Sequence, residues 1–264
     1  MGAVELSIII PAFLAGLLVL ATHVPMGQQV LSRGIVFIDL AIAQVAGLGV
    51  TIAGSFGSEP QGWQVQAAAC VAALIGALLL TWTEKKWPQV QEALIGVLFV
   101  LAACAELLLL ANNPHGGEHL KDLLVGQILW VQIPALIPIA LFYAVALAVW
   151  FAFRQRMGMI GFYVLFALVV TQSVQLVGVY LVFASLIVPA LAARRFAPKL
   201  RLLVGYATGI VGYVAGLVLS SVLDLPTGAA IVVTLVGAFV LAIIISLMTP
   251  RSLRADPEPV LAHA

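Results

Sequence analysis

A few side chains able to do chemistry stand where they are costly. Asp39, Gln44, Glu106, Gln172 and Gln175 lie inside long apolar runs or at their junctions. A carboxylate at membrane depth is expensive enough that each such acid is a functional candidate by default. Asp39 lies six residues past Arg33, roughly 9 Å along a helix at 1.5 Å per residue. Gln44 follows five residues later. Each has a plainer reading. Asp39 could pair with Arg33, Gln44 could bond a neighbouring helix, and Glu106 could reach water at the membrane surface. Gln172 and Gln175 could satisfy backbone groups freed at a helix break. One polar loop gathers His115, Glu118 and His119, followed by Lys121 and Asp122. Imidazole with carboxylate suits Zn²⁺ and, less well, Mn²⁺ or Fe²⁺. Gly116 and Gly117 argue against a helix joining the two histidines, so they would have to converge through a loop. The plainer reading is a solvated loop.

The elements that must position these residues follow from composition. Of the 264 residues 63% are apolar and 9% charged, against about a quarter charged in a soluble domain. The apolar residues form runs long enough to cross a hydrocarbon core about 30 Å thick. In lipid every backbone N–H and C=O must be bonded internally, so these runs become helices. The short alternating segments of a β-barrel are absent. The fold class is therefore all-α, a polytopic transmembrane helix bundle of about eight or nine spans. The segments are 6–21, 35–55, 65–83, 93–111, 133–153, 159–174, 176–193, 202–222 and 229–248, with Pro25, Gly27 and Pro134 read as interruptions. Residues 1–250 form one transmembrane domain, and 251–264 a short, disordered cytoplasmic tail. The first apolar run lacks a basic leader and reads as a retained span. Cys70 and Cys104 lie inside apolar runs and read as small core residues, not a disulfide. Gly209, Gly212 and Gly216 allow close helix approach, within the chain or at a dimer seam.

Lys and Arg orient the bundle. With Lys85 and Lys86 placed inside, alternation puts eleven of the twelve basic residues on the cytoplasmic side and only Lys121 outside. The N-terminus is then outside and the C-terminus inside. Net charge is +1, with no basic surface for nucleic acid. No GxxxxGK[ST] motif occurs, so any ATP hydrolysis belongs to a separate chain.

The stretch from Val177 to Ala197, VGVYLVFASLIVPALAARRFA, resembles the signature of the ABC-3 family of metal-importer permeases. Pro189, Ala190, Arg194, Arg195, Phe196 and Ala197 carry the match. Pro11 to Gly16 with Val24-Pro25-Met26-Gly27, Glu84-Lys85-Lys86 with Ala93 to Gly96, and Asp122 to Leu129 agree in order. The resemblance covers most of the chain, from Pro11 to Met248. It implies a fold like the type II ABC importer permeases and a bacterial inner-membrane location. It also implies pairing with a second copy, an ATP-binding cassette ATPase below, and a periplasmic or extracellular metal-binding protein above. No cofactor is expected to stay bound. The divalent metal is cargo, zinc being favoured by the loop histidines over manganese or iron.

Three departures from the family pattern matter. The family's GDTLAH motif, whose Asp and His are thought to contact metal, is matched here by Asp39 to Gln44. Gln44 takes the place of the His, and Asp39 stands one position early. Gln127 takes the place of the Asp in FGD. The segment between the fifth and sixth spans, which implies the coupling helix gripped by the ATPase, is cut to Arg154 to Gly158. The expected metal-pathway residues are thus Asp39, Gln44, Glu106, His115, Glu118 and His119. The expected ATPase-coupling residues are Arg154, Arg156, Arg194 and Arg195. Two other classes remain. A secondary carrier without an ATPase is motivated by the short coupling segment and by Glu106 as a proton carrier. An intramembrane hydrolase would need a serine partner for His23, and none stands in a suitable motif.

Overall fold

The computed structural model describes residues 6–56, 62–111, 113, 116–153 and 156–249. They form ten α-helices: α1 (Leu6–Arg33), α2 (Ile38–Ser55), α3 (Trp63–Lys86), α4 (Gln91–Leu110), α5 (Gly116–Val125), α6 (Ile133–Phe153), α7 (Met159–Val177), α8 (Val179–Arg194), α9 (Arg201–Leu223) and α10 (Thr227–Met248). Eight of these are long and apolar enough to cross a membrane, and α8, at 16 residues, is a shorter apolar helix. The nine segments read from hydropathy each correspond to one helix. The tail 251–264 lies outside the described residues.

Two expectations change. Pro25 and Gly27 do not interrupt the chain, and α1 runs on to Arg33. Proline lacks an N–H, so Pro25 leaves the carbonyl of Ala21 without its helical partner. The hydroxyl of Tyr206 on α9 donates to that carbonyl at 3.0 Å. Such outside donors are what let proline persist inside a membrane helix. Gly27 lies where α8 presses in, since a Cβ there would meet the backbone carbonyl of Leu186. The second change is α5, which starts at Gly116 despite the paired glycines.

The glycines of α9 pack within the chain. A Cβ on Gly209 would meet Leu20 of α1, while Gly212 and Gly216 sit against Leu235 and Ile231 of α10. Small residues let these backbones approach closely. At one end of the bundle Gly126 (φ 72°) and Gly178 (φ 84°) take left-handed conformations with their backbones in contact. Any side chain on either would collide with the other's main chain. This contact joins the end of α5 to the sharp turn between α7 and α8. Gly228, at the start of α10, rests on Val125 beside it. Arg33, the α3–α4 connection and the start of α7 meet at the opposite end, where the Arg33 guanidinium lies 4.5 Å from the centre of the Phe162 ring.

Candidate functional site

The α2–α4 interface joins two of the expected residues. Glu106 is only 1% exposed. Its Oε2 accepts from the Gln44 amide at 2.7 Å, and its Oε1 accepts from the Thr51 hydroxyl at 2.9 Å. Gln44 and Thr51 are seven residues apart, two helical turns, and so share one face of α2. A Cβ on Gly47, between them, would stand 3.5 Å from Glu106 Oε1. Gly47 thus lies against the carboxylate at ordinary packing distance. Glu106 therefore does not reach solvent at the membrane surface, and Gln44 acts as an interhelical donor. Bonding to a charged acceptor is the way a buried carboxylate is held in a low-dielectric interior.

Asp39 stands apart from this network, five residues toward the other end of α2. It is 1% exposed, and its carboxylate has no side-chain partner, lying instead near the backbone N–H groups of Asp39 and Leu40 at the start of α2. Arg33 does not pair with it, since that guanidinium rests on Phe162. Glu92, in the first turn of α4, accepts from the Phe37 N–H at 3.2 Å. The free N–H groups at a helix start favour a nearby negative charge, so Glu92 serves α2 as a cap supplied by another helix. Below it, Gln91 accepts from Thr83 at 2.9 Å and donates to the Leu80 carbonyl at 3.0 Å. This ties α3 to α4 just past Lys85 and Lys86.

His115 and Arg154 lie outside the described residues, as do the side chains of Glu118 and His119. No three His, Cys, Asp or Glu side chains come together as a metal-binding group among the described residues. Gln172 and Gln175 do not flank a break: α7 continues through both to Val177. They line a cleft instead. His23 is buried, with Nδ1 3.0 Å from both the Val19 carbonyl and the Thr22 hydroxyl. It touches no serine in these contacts. Cys70 and Cys104 are free thiols, neither fully buried. Arg156, Arg194 and Arg195 are exposed at one end of the bundle. The buried Phe196 anchors the turn beside them, and Arg201 Nε donates to its carbonyl at 3.3 Å.

Thr51 and Glu92 were not singled out from sequence. Thr51 had a readable signal, its two-turn spacing from Gln44. Glu92 had none, because its role as a cap depends on α2 arriving 55 residues away.

A bundle of membrane-length helices with a desolvated acid–amide–hydroxyl network between two of them is a polytopic membrane protein of the all-α class. The chain belongs to the ABC 3 transport family, whose model matches residues 5–163 and 155–246. It is 27% identical over 241 residues to the manganese transport system membrane protein MntC of Halalkalibacterium halodurans, covering 83% of this chain and 81% of that protein. It is 24% identical over 258 residues to the high-affinity zinc uptake system membrane protein ZnuB of Haemophilus influenzae, covering 89% and 97%. Its fold is similar to PsaBC from Streptococcus pneumoniae in complex with Fab, with a TM-score of 0.70, 23% identity and 91% of each chain covered. The chain is an ABC-type membrane permease subunit, not an enzyme.

Proposed function

We propose that this chain is the permease of an ATP-driven importer of a divalent transition-metal ion, releasing its cargo to the cytoplasm by alternating access. The carrying observation is Glu106, buried between α2 and α4 and held by Gln44 and Thr51. A desolvated carboxylate at membrane depth marks an ion path by default, and the family and its relatives, named for manganese and zinc transport, support the same reading. A second copy of the chain, a separate ATPase and an external metal-binding protein complete the machine. The exposed Arg194 and Arg195, beside the anchored Phe196 and together with Arg156, offer the ATPase its docking shoulder. That would leave the short 154–158 segment a lesser part of the coupling.

Two metals compete. His115 and His119 favour zinc, which takes imidazole readily. The described donors around Glu106 are all oxygen or amide, which suits manganese better. Uptake into proteoliposomes holding the chain with its ATPase separates them. ATP-dependent uptake of zinc, weakened in the His115→Ala, His119→Ala double variant, supports the zinc reading. Manganese uptake indifferent to that variant supports the other. Uptake that ignores ATP and follows a proton gradient would replace both with the secondary-carrier reading.

A further inference from the structure

A cleft opens between α3, α6 and α7 at the end of the bundle where Gly126 meets Gly178. Its outer part, about 220 Å³, is lined by Asp122, Gln127 and Gln175 among others. A middle part of about 460 Å³ shares Gln175 and adds Gln66, Gln132 and Gln172. A third part, about 500 Å³ and lined mostly by apolar side chains, shares Gln66 and Gln172 and reaches Cys70, Phe142 and Leu168. Five glutamines and an aspartate thus line three adjoining spaces. Cys70 lies seven residues into α3, roughly 10 Å below its first residue at 1.5 Å per residue.

These amides cannot face hydrocarbon cheaply, because an unpaired amide there loses its hydrogen bonds to water. A groove edged by several amides offers water hydrogen-bond partners, and at ~30 Å³ per molecule the middle part has room for on the order of ten.

The outer part also lies next to the Glu106 network. Leu123 lines it. A Cβ on Gly47 would stand 3.8 Å from Leu123 Cδ1 and 3.5 Å from Glu106 Oε1. Leu123 of the cleft lining and the Glu106 carboxylate thus both lie beside Gly47 of α2.

We propose that this cleft is a water-filled vestibule that admits the hydrated divalent cation from the outer face, and that Leu123 closes it off from Glu106. Amide oxygens and one carboxylate suit an ion that keeps its water shell, since neutral oxygen donors hold hard, hydrated cations loosely. Loose holding suits an entrance, where an ion must enter and also move on. The proposal deepens the permease reading and rests on it, but its test requires no transport.

Cys70 is the reporter. In the Cys104→Ala variant it is the sole thiol. The experiment measures its modification by a membrane-impermeant cationic thiosulfonate in right-side-out and inside-out vesicles, with and without Mn²⁺. The expected result is labelling from the outer side only, slowed by Mn²⁺. Gln66→Leu with Gln172→Leu should slow labelling further, while a membrane-permeant maleimide still reacts with Cys70. Leu123→Ala, in a variant with Thr51→Cys as the sole thiol, should make position 51 reactive to the same impermeant reagent. Cys70 reacting only with the permeant reagent would overturn the vestibule, whether lipid or a second copy covers the cleft. Outer labelling indifferent to Mn²⁺ would overturn its role in admitting the cation. Position 51 staying unreactive in the Leu123→Ala chain would overturn the closure. Failure of metal uptake alongside intact outer labelling would count against the permease reading and leave the vestibule standing.

Discussion

Glu106 shows how a single residue can be found by type while its role depends on partners far along the chain. A glutamate inside an apolar run invites attention, but its bonds go to positions 62 and 55 residues away. Two roles can be separated by substitution. Thr51→Val removes one hydroxyl donor, and hydrogen bonds between membrane helices are worth about 0.6 kcal/mol on average and at most about 1.7. Thermal unfolding in detergent should fall by that modest amount, with metal uptake retained. Glu106→Gln keeps the shape and removes the charge. Its stability should change little, while ATP-driven uptake should be lost if the carboxylate handles the ion. Equal small losses in both variants, with uptake intact, would make Glu106 a structural brace only. Asp39 and Gln44 were legible for the same reason as Glu106, as polar groups amid apolar neighbours. Their separation into one residue bonded across helices and one carboxylate without a side-chain partner was not legible, because it depends on which helices flank α2.

At the scale of elements, hydropathy resolved all nine long or near-long apolar helices, because lipid demands one run per crossing. It misplaced the end of α1. Residues 22–33 include Thr22, His23, Gln28 and Gln29, which weaken the apolar signal, yet α8 and α9 pack against this part of the helix. Pro25 survives there because Tyr206 satisfies Ala21. That account makes a prediction about coupling. Tyr206→Phe should destabilise the chain by about 0.6 kcal/mol and at most about 1.7. In a Pro25→Ala background the Ala21 carbonyl regains its own helical N–H, so the same change should cost nearly nothing. Additive losses in the double-mutant cycle would show that the hydroxyl does not compensate the proline. The helix α5 escaped the sequence reading because glycine propensity was weighed without its context: Gly116 sits against the Leu110 carbonyl, where a larger residue would not fit.

For the whole molecule, the ends of the helices sort the charge. Arg33, Lys85, Lys86, Arg156, Arg194, Arg195, Lys199 and Arg201 belong to connections at the Phe162 end of the bundle. Lys121 belongs to α5, at the Gly126–Gly178 end. Short connections rich in Lys and Arg favour the cytoplasmic side; in the proposed orientation the amide-lined cleft faces outward and the Arg194–Arg195 shoulder faces the proposed ATPase. The glycine face of α9 is already occupied by α1 and α10, which leaves it unavailable as a seam for a second copy. The orientation is tested with single cysteines in a Cys70→Ala, Cys104→Ala background. Lys121→Cys should react with an impermeant maleimide in intact cells. Lys85→Cys and Lys199→Cys should react only after the membrane is permeabilised. The reverse pattern would turn the bundle over, placing the cleft on the ATPase side. The glutamine-lined space would then be an exit for the ion, and Arg194 and Arg195 would face the metal-delivery protein instead.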